Sequence, residues 1–325
     1  MLQREYGQPA IGLAVEDAAG NMQGVLPLMA TKGLPMGLWS GVGGRRLSSL
    51  PRTPVAGPLA DGRDGLAVLV RGAVERTPPG ARLQLKPAEA DLDDVVERVV
   101  AHPWRLTYIL ELPERPEQVR FGKSRSNARV RSGINSAVRH GIVVRRADSI
   151  ADVRAWHRLY LETMRHHAIP ARPLRLFEAM WDELHPRGMM RLLLAERQRE
   201  LLAGSVLLMF GPTVFYAFSG AMPHVLSLRP NDLLQWQAIS DGCTEGYRRY
   251  DLGEVADGDE GLAHFKSKWG AQPRRLYRYS YPPAPQPADE GESRFGRLAE
   301  LMERSWRAVP LKATAAAGRL VYRYL

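Results

Sequence analysis

Apolar and polar positions follow one plan twice along this chain. "GLAVEDAAGNMQGVLPL" (12–28) is an apolar run, a polar turn, a glycine and a second apolar run. "RLLLAERQRELLAGSVLL" (191–208) repeats that plan, with Gly204 standing where the first copy has Gly24. A little further on, "LWSGV" (38–42) is echoed by "YAFSGAM" (216–222), so that Gly41 and Gly220 fall at nearly the same offset. Each copy continues through a helix-like stretch into a short strand, "GARLQLK" (80–86) and "YRRYDLG" (247–253). Alternation within these runs predicts strands, and the shared spacing predicts a duplicated α/β unit.

Helical spacing takes over between and after these strands. "SIADVRAWHRLYLETMRHHAI" (149–169) reads as an amphipathic helix: Ser149 and Asp152 suit its start, and Val153, Trp156, Leu159, Tyr160 and Thr163 share a face. "PLRLFEAMWDELHPRG" (173–188) predicts a second helix, stopped at Pro186-Arg187-Gly188. "NDLLQWQAISDGCTEGYRR" (231–249) predicts a third, opened by Asn231. "AGSVLLMFGPTVFYAF" (203–218) is too short to span a bilayer, is broken at Gly211-Pro212, and reads as strand, turn and strand. "MLQREYGQPA" lacks the apolar centre of a signal peptide.

Charge changes the picture most between residues 120 and 146. "RFGKSRSNARVRSGINSAVRHGIVVRR" holds eight Lys or Arg and no acidic residue. Its helical part predicts a narrow apolar stripe of Ala128, Ile134, Ala137 and Val138, with Arg125 and Arg129 one turn apart elsewhere. Gly141 is the expected stop, and "IVVRRA" a strand. A solvated helix usually mixes its charges, whereas a phosphate-binding face does not. The whole chain of 325 residues carries a net charge of +10, which suits anionic partners. Its one cysteine, Cys243, excludes an intrachain disulfide and is read as core; a cytoplasmic protein is the simplest expectation. "YPPAPQPADEGES" reads as a linker centred on 284–292. Residues 293–325 read as a basic amphipathic tail, with Leu298, Leu301, Met302, Trp306 and Val309 on one face. The tail either docks on its parent domain or lies on a membrane surface.

The densest chemistry is "YDLGEVADGDEGLAHFKSKWG" (250–270). Asp251 ends a strand, where open α/β sheets place ligands; it acts as an acid or base, or caps the following loop. If 262–270 continues as a helix, Lys266 and Trp269 share a face; if it is extended, Lys266 and Lys268 do. In both cases a lysine stands beside an aromatic wall, which strengthens its pull on an anion. The alternative is a surface turn with packed Phe265 and Trp269. His166-His167 diverge on a helix and lack metal-ligand spacing. "SGVGGRR" (40–46) lacks the spacing of a P-loop.

With these residues in hand, the chain resembles the FemABX family. The likeness rests on "RSGINSAVRHGIVVRRA" (131–147), "FEAMWDEL" (177–184), the hairpin that follows, "LLQWQAISDGCTEGYRRYDLG", and the closing "GLAHFKSKWG". It covers roughly residues 10–283; "SSLP" with "AGP" (48–58) and the "RFGKSR" lead-in look like FemAB-type or BioF2-like acetyltransferase-like proteins. The resemblance implies an α/β (α+β) fold of two tandem GNAT-like acyltransferase units. The boundaries expected are 1–119, a first unit that looks shortened at its N-terminus, and 120–283, a second opened by the basic helix. It implies attack of an amine on an activated acyl carbonyl, with Phe265 and Lys266 contributing to catalysis; Asp251, from its place at the strand end, is the third catalytic candidate. Lys123, Arg125, Arg129, Arg139, Tyr216, Arg229, Asn231, Lys268 and Trp269 are the substrate-binding candidates.

Two departures bear on the donor. No counterpart exists here of the helical hairpin with which some members grip tRNA. "SLRPNDLLQW" (227–236) stands where a CoA-binding GNAT carries glycines that expose backbone N–H groups to a pyrophosphate. No resident cofactor is expected, and the acyl donor is left between aminoacyl-tRNA and acyl-CoA. The leading expectation is an aminoacyl- or acyltransferase acting on a phosphorylated or lipid-linked cell-envelope precursor, cytoplasmic or peripheral at the inner membrane face. The alternatives are a CoA-dependent N-acyltransferase and a non-catalytic GNAT scaffold that binds polyanions or membrane.

Overall fold

The computed structural model describes residues 2–32, 45–51, 53–88, 92, 95–122, 124–283 and 305–322. In chain order its main elements are α1 (Leu2–Tyr6), β1 (Ala10–Glu16), β2 (Met22–Thr31), β3 (Arg46–Ser49), β4 (Leu59–Ala60), α2 (Arg63–Glu75), β5 (Arg82–Leu85) and β6 (Val100–Glu111). They continue as α3 (Ser124–Arg139), β7 (Val143–Arg146), α4 (Ile150–His166), α5 (Leu174–Leu184), β8 (Met190–Arg197), β9 (Glu200–Phe210) and β10 (Thr213–Ala221). The last are α6 (Pro230–Thr244), β11 (Arg249–Val255), α7 (Glu260–Ser267), β12 (Gln272–Tyr281) and α8 (Leu311–Val321). Two compact units result. The N-terminal unit is Leu2–Arg105 with Arg275–Gly296 and Leu320–Leu325; the C-terminal unit is Leu106–Arg274 with Arg297–Arg319.

The N-terminal unit opens with the β1–β2 hairpin, in which Val15 faces Gly24. Asp17 closes the turn by accepting from the Ala19 and Asn21 amides. β3 pairs antiparallel with β2, α2 crosses over, and β5 returns parallel to β3. Residues 279–281 of β12 then pair antiparallel with β5. Leu26, Leu28, Leu47, Leu69, Val70, Leu83 and Leu85 form the core.

The C-terminal unit repeats that connectivity. β8 and β9 make the hairpin, β10 pairs antiparallel with β9, α6 crosses over, and β11 returns parallel to β10. Residues 106–111 of β6 pair antiparallel with β11, and β7 adds to β8. Hairpin, strand, helix, parallel strand and antiparallel partner thus occur in the same order in both units, as the duplicated sequence plan implies. Gly24 and Gly204 also share a physical reason. A Cβ on Gly24 would stand 2.9 Å from the Leu59 carbonyl, and one on Gly204 would stand 2.6 Å from Trp156. Gly41, the third member of the echo, lies outside the described residues.

Most helices fall where helical spacing puts them. On α4, Val153, Trp156, Leu159 and Tyr160 are buried, and Trp156 donates its indole N–H to the Gly204 carbonyl. Three expectations need correction. α6 ends at Thr244 rather than running to 249, because Gly246, with φ +81°, turns the chain into β11. The stripe on α3 is also different: Val130, Gly133 and Ala137 are buried, whereas Ala128 and Val138 are exposed. α3 packs on α6 through Gly133, which has no side chain and lets Asp232 approach, so a helix rotated by that contact buries 130, 133 and 137. Two strands, β6 and β12, have no counterpart in the reading of the sequence: Pro103 and the basic residues of "QPRRLYRYSY" blur their alternation.

Ion pairs absorb part of the basic run. Arg145 makes a bidentate bond to Asp152, both contacts at 2.7 Å, and Arg146 bonds Asp241 and Glu245. Asp152, hydrogen-bonded by Arg145, is held below its ordinary carboxylate range. A depressed carboxyl stabilises the fold above its unfolded pKa and loses that contribution as pH falls. Asp152→Asn is therefore expected to cost about 1–2 kcal/mol at pH 7 and almost nothing near pH 2. Urea titrations at the two pH values check this.

Among the described residues no helix is long and apolar enough to cross a membrane. The described part of the tail includes α8, whose Gly318 approaches the Ala171 carbonyl so closely that no side chain fits. This is the docked arrangement. Leu298, Leu301 and Met302 lie outside the described residues.

Candidate functional site

The site begins where two parallel strands part. β10 and β11 pair only from Thr213–Phe215 to Arg249–Asp251. Beyond that both strands are irregular: β10 shifts register against β9 between Tyr216 and Phe218, and β11 shifts against β6 between Asp251 and Glu254. Gly253, with φ +82°, stands in the β11 irregularity. The place its Cβ would take is 3.6 Å from the Tyr216 carbonyl and 3.7 Å from Lys266 Nζ. The fork is therefore lined by backbone, with a lysine at its edge.

α7 delivers that lysine. Asp259 caps the helix by accepting from the Leu262 amide at 3.0 Å, which fixes the short turn after the glycine-rich loop. The helical alternative for 262–270 is thus the one adopted, and Lys266 and Trp269 both point inward. Lys266 is 5% exposed. Its ammonium donates to the Gly253 carbonyl at 2.9 Å and to the Glu254 carbonyl at 3.0 Å. Burial pushes its pKa down to about 8, against the pull of Asp251, Glu254 and Asp259. Two of its three N–H bonds are used on the irregular backbone of β11. The group is a desolvated cation held at the fork, and near neutral pH it retains its proton.

Asp251 sits at the last paired residue of β11. Its Oδ1 accepts from Thr107 Oγ1 at 2.6 Å and from the Gly253 amide at 2.8 Å. Of the roles open to it, the loop-capping one is visible in these bonds. Burial raises its pKa, with Thr107 and Gly253 acting in the opposite direction. Nearby, buried Tyr250 donates to buried Gln235 Oε1 at 2.7 Å, and half-buried Tyr216 has Ser219, Ser205 and Gln235 as its polar neighbours. Burial pushes the Tyr216 phenol up, so it stays a neutral donor.

The remaining candidates separate into two groups. Lys268 pairs with Asp232 at 2.5 Å and lies over the rings of Phe265, 4.5 Å away, and Trp269, 5.4 Å away. Trp269 is fully buried and meets Phe121 edge to face. Phe265 is half-buried beside them. Arg229, in the left-handed region at φ 64°, is exposed before α6, and Asn231 follows in its first turn. Arg125, Arg129 and Arg139 are exposed on α3, away from the Lys266 ammonium's own bonds; Arg129 reaches His264 at 3.5 Å. Lys123 lies outside the described residues.

Thr107, Asp232 and Gln235 are the contributors that sequence reasoning passed over. Thr107 lies on the unassigned strand β6. Asp232 was hidden in "RPNDLL", where an acid in the first helical turn reads as a routine dipole partner. Asp232→Ala leaves Lys268 in a partly buried position without its anion, and a loss of about 3 kcal/mol is expected in denaturant unfolding.

The chain is similar to several known proteins. A family model described as an acetyltransferase (GNAT) domain matches residues 123–267. UDP-N-acetylmuramoylpentapeptide-lysine N(6)-alanyltransferase of Weissella viridescens is 26% identical over 168 residues, 50% of this chain and 48% of that protein. The match thus spans about half the length of that relative. A crystal structure of FemX superposes with a TM-score of 0.63 at 18% identity, covering 86% of this chain and 89% of the other. A structure of the C-terminal domain of a candidate lysylphosphatidylglycerol synthetase from Agrobacterium fabrum gives 0.58 at 13% identity, over 87% and 86%. At such identities these structures establish the fold.

Proposed function

We propose, for a chain that carries the GNAT fold and resembles the Fem family in both sequence and architecture, that it forms an amide by aminoacyl transfer onto a phosphorylated cell-envelope precursor of peptidoglycan type. The observation that carries the reading is the fork between β10 and β11 with the Lys266 ammonium held at its edge. An amine of the acceptor attacks the acyl carbonyl; its carbonyl π pair moves to oxygen. Collapse of the tetrahedral species expels the donor's oxygen or sulfur, which takes up the proton lost by the amine. Lys266, desolvated and cationic, is suited to stabilise the developing oxyanion or the leaving atom. One such interaction is worth about 10²–10³ in rate.

The basic helix α3 is the proposed seat for the partner's phosphates, through Arg125, Arg129 and Arg139, all exposed on a helix with no acid in its first turn. A CoA donor is less well served. The N-terminus of α6, which a GNAT offers to a pyrophosphate, carries the buried carboxylate of Asp232 instead. That carboxylate, paired with Lys268, already occupies the helix end a diphosphate would need. Aminoacyl-tRNA is accordingly the donor we favour.

Purified protein incubated with aminoacyl-tRNAs, acyl-CoAs and nucleotide- or lipid-linked precursors tests the proposal by mass spectrometry of the acceptor. An acceptor heavier by one aminoacyl residue, formed only with aminoacyl-tRNA, is the expected product. Transfer from acyl-CoA alone would replace the donor, and absence of transfer from every donor would overturn the enzymatic reading. A membrane-surface role for the exposed face of the docked tail, which carries Leu320, belongs to the same proposal; deletion of 293–325 that leaves binding to anionic vesicles unchanged would remove it.

A further inference from the structure

Helix α8 is built around a residue that its own composition argues against. In "LKATAAAGRLV" a run of alanines, the best helix formers, gives way to Gly318, and glycine inside a helix is less stable than alanine. The reason is a contact. Gly318 and Thr314, one turn apart, are the buried residues of the helix and share a face. A Cβ at Gly318 would run into the backbone of Ala171, at its carbonyl and its amide nitrogen. Earlier in the tail, Arg307 Nε donates to the His166 carbonyl at 3.0 Å. The tail therefore lies against two points of the segment that joins α4 to α5.

That segment is held from α4 as well. His157 Nε2 donates to the Arg172 carbonyl at 3.0 Å, and the Arg172 amide donates to the Tyr160 hydroxyl at 3.4 Å. Ala168, at φ 54°, and the rings of Pro170 and Pro173 narrow the paths open to the chain. Between α4 and α8 the segment places the Arg172 guanidinium 5.4 Å from the centre of the Phe218 ring. Phe218 is where β10 resumes its pairing with β9 after the irregularity at the fork, two residues beyond Tyr216, whose carbonyl lines the fork. Phe177 and Tyr160 meet the same ring edge to face, at 5.1 and 6.2 Å. Just beyond, a Cβ on Gly220 would stand 2.5 Å from the Tyr160 amide nitrogen, and Thr163 Oγ1 bonds both backbone groups of Ala221. Direct contacts thus run from α8 through Ala171 and Arg172 to the strand that forms one side of the fork.

We propose that α8 is a positioning element of the transfer site: Gly318 and Arg307 fix the segment between α4 and α5, and so hold the Arg172 guanidinium on Phe218 as the wall of the fork on the β10 side. The consequence for transfer rests on the fork being its seat; the placement of the wall does not. A tail docked for stability alone needs no glycine at 318, since alanine buries more apolar area and forms a better helix. The glycine instead brings helix backbone onto the Ala171 carbonyl. A wall set before substrate enters costs little ordering on binding and keeps reacting groups near their productive geometry.

The test is fluorine NMR of the full chain, labelled with 4-fluorophenylalanine at its seven phenylalanines, as wild type, Gly318→Val and Ala316→Val. Phe218→Leu assigns the Phe218 resonance, and Arg172→Leu shows where that resonance goes when the guanidinium leaves the ring. Ala316 is exposed on the same helix, on the opposite side from Gly318, so a valine there adds bulk without the clash. The Phe218 resonance is expected to move toward its Arg172→Leu position in Gly318→Val and to stay in place in Ala316→Val. With donor and acceptor present, kcat/KM falls about tenfold or more in Gly318→Val alone. Arg307→Leu, which removes the bond to the His166 carbonyl, moves the resonance the same way and takes the place of Gly318→Val if that variant does not fold. A Phe218 resonance unmoved in the folded variants, or moved equally by Ala316→Val, would overturn the proposal, as would an unchanged kcat/KM in a wild type that transfers. If wild type transfers nothing, the function proposed above falls, and the resonance alone decides whether α8 sets this wall.

Discussion

Lys266→Met is expected to lower acyl transfer by about 10²–10³-fold while leaving the protein at least as stable at pH 7. The two halves of this expectation have one physical origin. A lysine that ionises near pH 8 in the folded chain and near 10.5 in the unfolded chain costs on the order of 3 kcal/mol at neutral pH. Methionine removes that cost and leaves the Gly253 and Glu254 carbonyls without their donor, a loss of about 1 kcal/mol each. The net change is zero to about 1 kcal/mol in favour of the variant. A lysine kept for packing alone would give the reverse pattern, lower stability with little effect on chemistry.

The sign of the pH dependence is also determined. Because the folded pKa lies below the unfolded one, the unfolded chain binds more protons between about pH 8 and 10.5. Wild-type stability therefore gains from Lys266 as pH rises through that window, and Lys266→Met lacks the gain. Activity moves the other way. A cation that stabilises an oxyanion is lost by deprotonation, so the rate falls above about pH 8. A lysine acting as general base would give a rate that rises there. Denaturant unfolding and initial rates across this range separate the two.

Gly270→Ala has the second large effect, on stability. Gly270 has φ +88°, and a Cβ there would collide with the Arg120 carbonyl oxygen of the "RFGKSR" lead-in. Left-handed backbone costs an alanine about 1–2 kcal/mol, and the backbone clash adds to it, for a total of about 3 kcal/mol or more. For a unit of this size that lowers the Tm by roughly 6–12 °C. Gly258 isolates the first contribution: its φ is +86° and nothing lies within 4 Å of a Cβ there. Calorimetry should show Gly270→Ala losing at least about twice as much Tm as Gly258→Ala; equal losses would mean that the contact with Arg120 is unimportant.

That pair of glycines also illustrates what the chain discloses before it is folded. Local periodicity was enough to place the hairpins, α4, α5 and the repeated strand–helix–strand plan, because their apolar residues recur with the period of the element they form. The close "FKSKWG" could be singled out as chemistry because two lysines among aromatics are unusual at any spacing. What Gly270 packs against was not legible, since Arg120 is distant in sequence and a glycine's neighbour leaves no mark on the glycine. The face of α3 was misread for the same kind of reason. Gly133 looks neutral in a helical wheel, yet it is the point where α6 comes closest. The partners of Asp251 and Lys268 were hidden too: Thr107 sits on a strand interrupted by proline, and Asp232 looks like an ordinary first-turn acid. Paired polar groups are set by tertiary approach, which periodicity does not encode.

The fork between β10 and β11, with Lys266 at its edge, is the proposed seat of amide-forming transfer. Mass spectrometry of a peptidoglycan-precursor acceptor, incubated with aminoacyl-tRNA and either wild type or Lys266→Met, reads that transfer from its product. A hydroxylamine-resistant gain of one aminoacyl residue is expected with wild type and about a hundredfold less, or none, with the variant. Equal product from both proteins, or no product from wild type with any donor, would contradict it.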